Sequence, residues 1–233
     1  MSARLLVFDL DGTLVDSQDR IVEAQRRTFA AHGLTPPDRR ASLSVVGLSL
    51  HEAFAQLLDG VGAHELDGVG THEKAAAMAQ TYKDQFNALR SGALHEEPLF
   101  PGAFDAIARY GANEDLLLGV ATGKSRRGVR HLFSRTGWGE LFATVQTADD
   151  HPSKPAPDMI EAALAETGLA RAAAFMIGDT TYDMAMARAA GVHAIGVAWG
   201  YHDPRELSAA GAETIIGDFA QLDELIARAP AIP

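Results

Sequence analysis

Two aspartates near the N-terminus are the residues whose types and spacing best suit chemistry. Asp9 and Asp11 follow the apolar run Leu5-Leu6-Val7-Phe8, and the pair Gly12-Thr13 comes next. A short apolar run with β-branched and aromatic members predicts a buried strand of a parallel sheet. Carboxylates at the end of such a strand need a compensating cation, and Mg²⁺ prefers hard oxygen ligands. A strand ending in an Asx turn would explain one aspartate followed by glycine, whereas the full pattern indicates Mg²⁺-assisted phosphoryl transfer.

Two further candidates are suited to holding a phosphate group. Thr122-Gly123 follows the apolar run 116–121, and a hydroxyl with a free backbone N–H at a strand end can donate to phosphate oxygens. A threonine helix cap followed by a permissive glycine fits this pair equally well. Lys154 stands among prolines that stiffen its backbone, which lowers the entropic cost of aiming its ammonium group. The alternative for Lys154 is a solvated lysine in a surface turn.

A second acidic pair follows another apolar run. Asp179 comes after Phe175-Met176-Ile177-Gly178, and Asp183 lies four residues further on. Aspartate is common at helix N-termini because the helix dipole favours it, and this would account for Asp183. It does not account for Asp179 at the end of a buried strand, so Asp179 is the stronger metal-ligand candidate.

The elements that must position these residues alternate between strand and helix after residue 98. Strands are predicted at Leu116–Ala121, Ala143–Thr147, Ala173–Ile177, His193–Val197 and Glu213–Ile216. Helices are predicted from about Ala103 to Tyr110 and over Ser125–Thr136, Pro157–Thr167 and Asp183–Ala190. Such alternation predicts an α/β fold with a doubly wound parallel sheet, in which ligands bind beyond the carboxyl ends of the strands. The segment 199–202 follows one strand end and is expected to border the site, with no role assigned.

Residues 16–97 have a different character, because their apolar residues recur at helical spacing. Helices are predicted over Asp19–His32, through Ala53–Leu58 with Ser44 or Ser49 as the cap, and from Thr71 to about Ser91. A glycine-rich stretch, 60–70, separates the last two. We therefore predict a core domain of residues 1–15 and 98–233 with an inserted all-helical domain of residues 16–97.

Composition narrows the classes of function. The 233 residues include no cysteine and carry a formal net charge of −11. The first property excludes disulfide scaffolds and thiolate metal sites, and the second disfavours nucleic-acid and anionic-membrane partners. With no apolar span and no room for a signal peptide before the first strand, we expect a cytoplasmic protein. Serine-hydrolase and P-loop patterns are absent from the sequence, and its nine histidines show no metal-ligand spacing.

The four polar segments together resemble the motifs of the haloacid dehalogenase-like (HAD) superfamily of phosphohydrolases. Asp9 to Ser17 resembles the first motif, Thr122-Gly123 the second, Lys154 the third and Asp179 to Asp183 the fourth. The resemblance covers essentially the whole chain. It implies a Rossmann-like α/β core with a helical cap inserted after the first motif.

The resemblance also implies a role for each catalytic residue. Asp9 would attack phosphorus to form an aspartyl-phosphate, and Asp11 would exchange protons with the leaving group and the hydrolytic water. Lys154 would neutralise the nucleophile and phosphate. The dehalogenases that give the superfamily its name lack the second aspartate, so Asp11 favours phosphate chemistry.

The same resemblance implies binding residues. Thr122, Gly123 and Lys154 would contact the substrate phosphate, although related phosphatases often carry asparagine in place of Gly123. Mg²⁺ would be bound by Asp9, Asp179 and the backbone carbonyl of Asp11. Asp183 would either ligate through water or anchor Lys154.

The substrate is expected to be a small phosphorylated metabolite, acted on by a monomer or homodimer. The helical cap and the stretch 47–54 resemble phosphoglycolate phosphatases most, with pyrophosphatases and nucleotidases as close relatives. A β-phosphoglucomutase is the nearest other enzyme, but no arginine follows Gly47 to hold a sugar bisphosphate. A non-enzymatic phospho-acceptor domain is a more remote alternative, since receivers are about half this length.

Overall fold

The computed structural model describes residues 3–59, 61, 69–89 and 97–228. Within this part of the chain there are six strands and ten α-helices. The strands are β1 (Arg4–Phe8), β2 (Leu116–Thr122), β3 (Phe142–Thr147), β4 (Ala174–Gly178), β5 (His193–Val197) and β6 (Thr214–Ile216). The helices are α1 (Gln18–Ala31), α2 (Arg39–Ser44), α3 (Leu50–Leu57), α4 (Thr71–Leu89), α5 (Ala103–Gly111), α6 (Arg126–Thr136), α7 (Asp158–Thr167), α8 (Thr181–Ala190), α9 (Pro204–Ala210) and α10 (Phe219–Arg228).

All six strands form one parallel sheet, in the order β3-β2-β1-β4-β5-β6. The order reverses beside β1, which is where an open α/β sheet binds its ligands. Phe8 of β1 pairs with Val120 of β2 and with Ile177 of β4. Because these residues are in register near the carboxyl ends of three neighbouring strands, the polar residues that follow them meet at one edge of the sheet. The predicted doubly wound α/β fold is confirmed.

The sheet is covered on both faces, as its sequence requires. Leu6 and Phe8 point into one apolar cluster with residues of α5, α6 and α10, while Leu5 and Val7 point into another with residues of α7 and α8. These four side chains of β1 have no exposed surface. Burial on both sides explains why β1 is a continuous apolar run and does not alternate.

Helices α1 to α4 lie between β1 and β2 in the chain, and α1, α3 and α4 share an apolar cluster of their own. Its centre is aromatic, with the rings of Phe29, Phe54 and Tyr82 in successive contact at 6.1 and 5.7 Å between centroids. The described elements between residues 16 and 97 are thus helical, as expected. The domain division itself stays a prediction, since parts of both ranges lie outside the described residues.

The structure decides one local alternative, adds three helices that were not predicted and leaves two local predictions untested. Helix α3 is capped by Ser49, whose hydroxyl accepts from Glu52 N at 3.3 Å, whereas Ser44 ends α2. Helices α2, α9 and α10 had no counterpart among the predicted elements. The glycine-rich stretch 60–70 lies mostly outside the described residues, as does the predicted end of α4 near Ser91. No described helix is long and apolar enough to span a membrane.

Candidate active site

Three buried carboxylates and one lysine meet where β1 and β4 end. Asp9, Asp179 and Asp183 each place a carboxylate oxygen within 4.8 Å of the others. The Lys154 ammonium lies 2.6 Å from Asp183 Oδ1 and 3.1 Å from Asp9 Oδ2, and its side chain has no exposed surface. Burial opposes the charge on Lys154, but Asp183 and Asp9 outweigh it and raise the pKa of this lysine. The two carboxylates thus favour the charged form of Lys154.

Asp9 is held by the turn that follows β1. The backbone N–H of Leu10 donates to Asp9 Oδ1 at 2.7 Å, whereas Oδ2 is buried and has no hydrogen-bond partner among the described residues. Its contact with Lys154 is an ion pair outside hydrogen-bond geometry. Burial raises the pKa of Asp9 to about 7, although Lys154 acts in the opposite direction. The carboxylate is thus poorly stabilised by the protein alone.

Residues of two loops donate hydrogen bonds to Asp179. Thr13 Oγ1 donates to its Oδ1 and Tyr201 N donates to its Oδ2, each at 2.9 Å. A Cβ added at Gly12 or at Gly200 would lie 2.1 Å from an atom of Asp179, and Gly12 also has a φ of +92°. Burial raises the pKa of Asp179 well above its ordinary value, with Asp183 and Asp9 adding to the effect. Both glycines are therefore required for the backbone to approach this carboxylate.

Asp183 performs two tasks at once. Its Oδ2 accepts from Thr180 N at 3.0 Å and from Thr180 Oγ1 at 2.7 Å, and Thr180 in turn caps α8. Its Oδ1 accepts from Lys154. The helix-cap interpretation of Asp183 is correct, and the same carboxylate also anchors the lysine.

The donor set fits a divalent cation. Three carboxylates face one ammonium, so the cluster holds excess negative charge inside the protein, and burial raises the pKa values of Asp9 and Asp179. A hard cation would relieve this excess, and oxygen ligands are those that Mg²⁺ prefers. Of the predicted ligands, Asp9 and Asp179 belong to the cluster. The Asp11 carboxylate does not, which is consistent with its predicted role as a backbone ligand only.

Asp11 is instead paired with a lysine that the sequence analysis missed. Lys124 Nζ donates to Asp11 Oδ1 at 2.7 Å and to Glu97 Oε1 at 3.1 Å, and Ser17 Oγ donates to the same Asp11 oxygen at 2.6 Å. Burial opposes the charge on Lys124, yet Asp11 and Glu97 outweigh it and raise its pKa. The sequence did contain a signal that could have identified this lysine, because a basic residue stands directly after Thr122-Gly123 in a strongly acidic chain.

Thr122 and Gly123 lie where expected, at the end of β2. Thr122 Oγ1 accepts from Lys124 N at 3.2 Å, but the N-cap of α6 is Ser125, so the helix-cap interpretation of Thr122 is wrong. A Cβ at Gly123 would lie 2.7 Å from the carbonyl oxygen of Leu48 and 2.8 Å from that of Gly47. The backbone before α3 thus packs directly on Gly123 and leaves no space for a side chain at this position.

A cavity of about 360 Å³ opens over this edge of the sheet. Its sheet side includes Asp9, Asp11, Thr122, Gly123 and Lys124. Its helical side combines apolar, amide and charged side chains, including Gln25, Val45, Leu50, Phe54, Gln80, Tyr82, Lys83, Asp84, Phe86 and Asn87. Lys154 and Asp179 do not line this cavity, but Lys154 contacts Asp9, which does, and Asp179 belongs to the same acidic cluster. The structure therefore brings all predicted site residues to one edge of the sheet. Asp9, Asp11, Thr122 and Gly123 line the cavity, and Lys154 and Asp179 belong to the buried cluster that includes Asp9.

The segment 199–202, for which the sequence suggested no role, forms hydrogen bonds with both the first and the fourth motif. Trp199 Nε1 donates to the carbonyl of Thr13 at 3.0 Å, and the Tyr201 hydroxyl accepts from Ser17 N at 3.0 Å. His202 is buried, and its Nδ1 accepts from Thr181 N at 3.2 Å. This segment fixes the positions of the first and fourth motifs.

Comparison with known proteins identifies the family. A sequence model described as haloacid dehalogenase-like hydrolase matches residues 6–197. The chain belongs to the haloacid dehalogenase-like hydrolase family. This confirms the predicted enzyme class, a HAD-type phosphatase, and removes the non-enzymatic alternative.

Individual relatives of this family cover nearly the whole chain. "Probable phosphatase IndB" of Dickeya dadantii is 35% identical over 94% of this chain and 91% of its own length. Pyrophosphatase PpaX of Bacillus velezensis is 30% identical over 88% and 87%, and the phosphoglycolate phosphatase of Rhodospirillum rubrum is 30% identical over 95% and 90%. A hydrolase from Pseudomonas syringae shares the fold with a TM-score of 0.80 at 26% identity, covering 95% of this chain and 99% of that one.

Proposed function

We propose that this chain is a Mg²⁺-dependent phosphatase that hydrolyses a small phosphate monoester through an aspartyl-phosphate on Asp9. The observation that carries the proposal is the buried cluster of Asp9, Asp179 and Asp183 around Lys154, beside a cavity that Asp11 and Thr122 also line. A structural cluster of this charge would be costly to bury, whereas a phosphoryl-transfer site needs it.

The first half-reaction forms the bond between a carboxylate oxygen of Asp9 and phosphorus. The ester oxygen–phosphorus bond breaks as this bond forms, and Asp11 supplies the proton that the leaving oxygen takes. The Thr122 hydroxyl, the nearby backbone N–H groups and the Lys154 ammonium stabilise charge on the phosphoryl oxygens. Lys154 acts through its contact with Asp9, and Asp183 orients it.

The second half-reaction returns the enzyme to its starting state. Asp11 takes a proton from a water molecule as that water attacks phosphorus, and the bond between phosphorus and Asp9 breaks. When bound by Asp9, Asp179 and the Asp11 carbonyl, Mg²⁺ would supply positive charge for the nucleophile and the transferring phosphoryl group.

The preferred substrate in this proposal is 2-phosphoglycolate, and pyrophosphate is the second candidate. Both are supported by relatives at 30% identity that carry these activities in their names. A nucleotide is a third candidate, whereas the mutase alternative is weakened because His51 and its neighbours after Gly47 include no arginine. We further propose that residues 16–97 act as the cap domain, and that the enzyme is a cytoplasmic monomer or homodimer without nucleic-acid or membrane partners.

A steady-state screen with Mg²⁺ over 2-phosphoglycolate, pyrophosphate, sugar phosphates and nucleotides tests this proposal. We expect 2-phosphoglycolate to give the highest kcat/KM, and we expect EDTA and Asp9→Asn each to abolish turnover. Asp105→Asn, which removes an exposed carboxylate of α5, is the matched control and should leave turnover intact. A flat profile would contradict the substrate assignment, and substantial activity of Asp9→Asn would contradict the nucleophile.

A further inference from the structure

A continuous row of buried charges runs from the helical segment to Asp11. Arg20 of α1 contacts Glu97 at 2.9 Å, Glu97 contacts Lys124 at 3.1 Å, and Lys124 contacts Asp11 at 2.7 Å. Side-chain exposure along the row is 1% for Arg20, 6% for Glu97, 7% for Lys124 and 14% for Asp11. Buried charges are costly, and a row of them that ends on the proton-transfer residue calls for a role beyond stability.

The contacts at Asp11 distinguish its two oxygens. Lys124 and Ser17 both donate to Oδ1. Among the described residues no group donates to Oδ2, and Asp11 lines the cavity. Two donors on one oxygen fix the plane of the carboxyl group and leave Oδ2 as the oxygen available for the proton transfer proposed for Asp11. A protonated Oδ2 can then donate to the leaving oxygen while Oδ1 still accepts both hydrogen bonds.

The Lys124 side chain is itself held in one place. Its ammonium lies 5.5 Å from the centroid of the Phe86 ring, and the Arg20 guanidinium lies 5.3 Å from the same centroid. A Cβ added at Gly128 would lie 2.8 Å from Lys124 Cγ, so the first turn of α6 leaves space for the lysine stem only because residue 128 is glycine. The position of Lys124 is thus fixed by its ion pair with Glu97, by the ring of Phe86 and by the space that Gly128 leaves for its stem.

We propose that Lys124 is a positioning residue for Asp11, which keeps Oδ2 directed at the leaving oxygen of the substrate, with Glu97 and Arg20 holding Lys124 in turn. This rests on the proposed function of Asp11 as the proton donor. The lysine does not need to contact the substrate in this role. Removing it should impair proton transfer to the leaving group more than it impairs substrate binding.

The test compares two esters that differ in their need for a proton. p-Nitrophenyl phosphate releases a stable anion, whereas glycerol 2-phosphate releases an alkoxide that must be protonated. Single-turnover release of the alcohol, measured with excess enzyme and Mg²⁺, reports the first half-reaction alone. Lys124→Met should slow release from glycerol 2-phosphate about 100-fold and release from p-nitrophenyl phosphate less than about 10-fold, since general acid catalysis contributes 10²–10⁴-fold. Half-saturating concentrations should change little.

Companion variants make the outcome decisive. Asp11→Asn should show the same dependence on the leaving group, and Gly128→Ala should show it more weakly by displacing the lysine stem without removing its charge. Arg126→Met, two residues along and half exposed, is the matched control and should behave as wild type. Thermal unfolding of each variant verifies that it is folded.

Three results would overturn the inference. Equal slowing with both esters would show a merely structural role, and a raised half-saturating concentration with an unchanged rate would make Lys124 a substrate-binding cation. A wild-type rate for folded Lys124→Met, with Asp11→Asn still selective, would refute the inference and leave the proposed function intact. If Asp9→Asn released the alcohol as fast as the wild type, the proposed function itself would be refuted.

Discussion

Gly200 lies against Asp179 so closely that adding one methyl group should disable the candidate metal site. An ideal Cβ at residue 200 would lie 2.1 Å from Asp179 Cβ. Carbon atoms in contact prefer about 3.5–4.0 Å, so Gly200→Ala should displace Asp179 by roughly 1.5 Å. Gly200 has no left-handed φ, so the effect of the substitution is steric. The following residue, Tyr201, donates its N–H to Asp179, so this hydrogen bond should weaken as well.

The expected loss follows from the tolerance of such sites. Ligand distances in metal sites hold within about 0.2 Å, and disturbed supporting residues typically lower metal affinity about 10–100-fold. A misplacement of about 1 Å near the chemistry costs about 100-fold in rate, or about 2.7 kcal/mol of transition-state stabilisation. We therefore expect Gly200→Ala to lower kcat/KM about 100-fold and to raise the half-saturating Mg²⁺ concentration at least 10-fold.

The assay is a Mg²⁺ titration followed both by steady-state phosphate release and by thermal unfolding. Gly139→Ala is the matched control, because a Cβ at residue 139 would meet no described atom within 4 Å. Gly200→Ala should also unfold at a lower temperature, since overpacking costs about 1–3 kcal/mol. Unchanged Mg²⁺ dependence and turnover in a folded Gly200→Ala variant would refute the assignment of Asp179 as a metal ligand.

Two further predictions concern the buried charges without metal. Burial raises the pKa of Asp9 from 3.8 to about 7, so its folded state binds the proton more tightly than its unfolded state, and its contribution to stability is lost as pH rises between these values. Asp9→Asn should therefore raise the free energy of unfolding in EDTA more at pH 8 than at pH 4, and an equal effect at both would contradict this. Lys154→Met should lower the free energy of unfolding by about 3–5 kcal/mol in urea denaturation, because it leaves two buried carboxylates unpaired. A loss no greater than that of Arg126→Met, which breaks an exposed ion pair, would show that the cluster tolerates the missing cation.

The sheet and its functional edge were predictable because their signals are local. Continuous apolar runs indicated β1 and β4, and a parallel sheet must gather its carboxyl ends at one edge. Asp9, Thr122 and Asp179 could therefore be placed together without knowledge of the strand order. The polar residue that follows each run was sufficient for this.

Helices α2, α9 and α10 were missed for different reasons. Helix α2 has six residues, too few for a helical period to emerge, and depends on Asp38 accepting from Ala41 N. Helix α9 begins with Asp203-Pro204, a start signal that the sequence analysis did not use. Helix α10 buries Phe219, Leu222 and Ile226 at helical spacing, so its pattern was visible in the sequence.

The pairing of Lys124 with Asp11 was not predictable from spacing. These residues are 113 positions apart, and the contact with Glu97 depends on how the chain returns from the helical segment into the sheet. Similarly, the close approach of Leu48 to Gly123 is a tertiary contact that no local pattern reports. Motifs thus located the reacting carboxylates, whereas the groups that orient them were found only in the folded chain.

Trapping of the aspartyl-phosphate tests the central claim most directly. The enzyme is quenched during turnover of its best substrate with Mg²⁺ and treated with borohydride, which reduces an acyl phosphate to an alcohol, and the peptide that contains residue 9 is examined by mass spectrometry. We predict conversion of Asp9 to homoserine, dependent on substrate and absent when Mg²⁺ is removed with EDTA. Reduction at another carboxylate would contradict Asp9 as the nucleophile. The same conclusion would follow if the enzyme turned over its substrate while no carboxylate, including that of Asp9, was reduced.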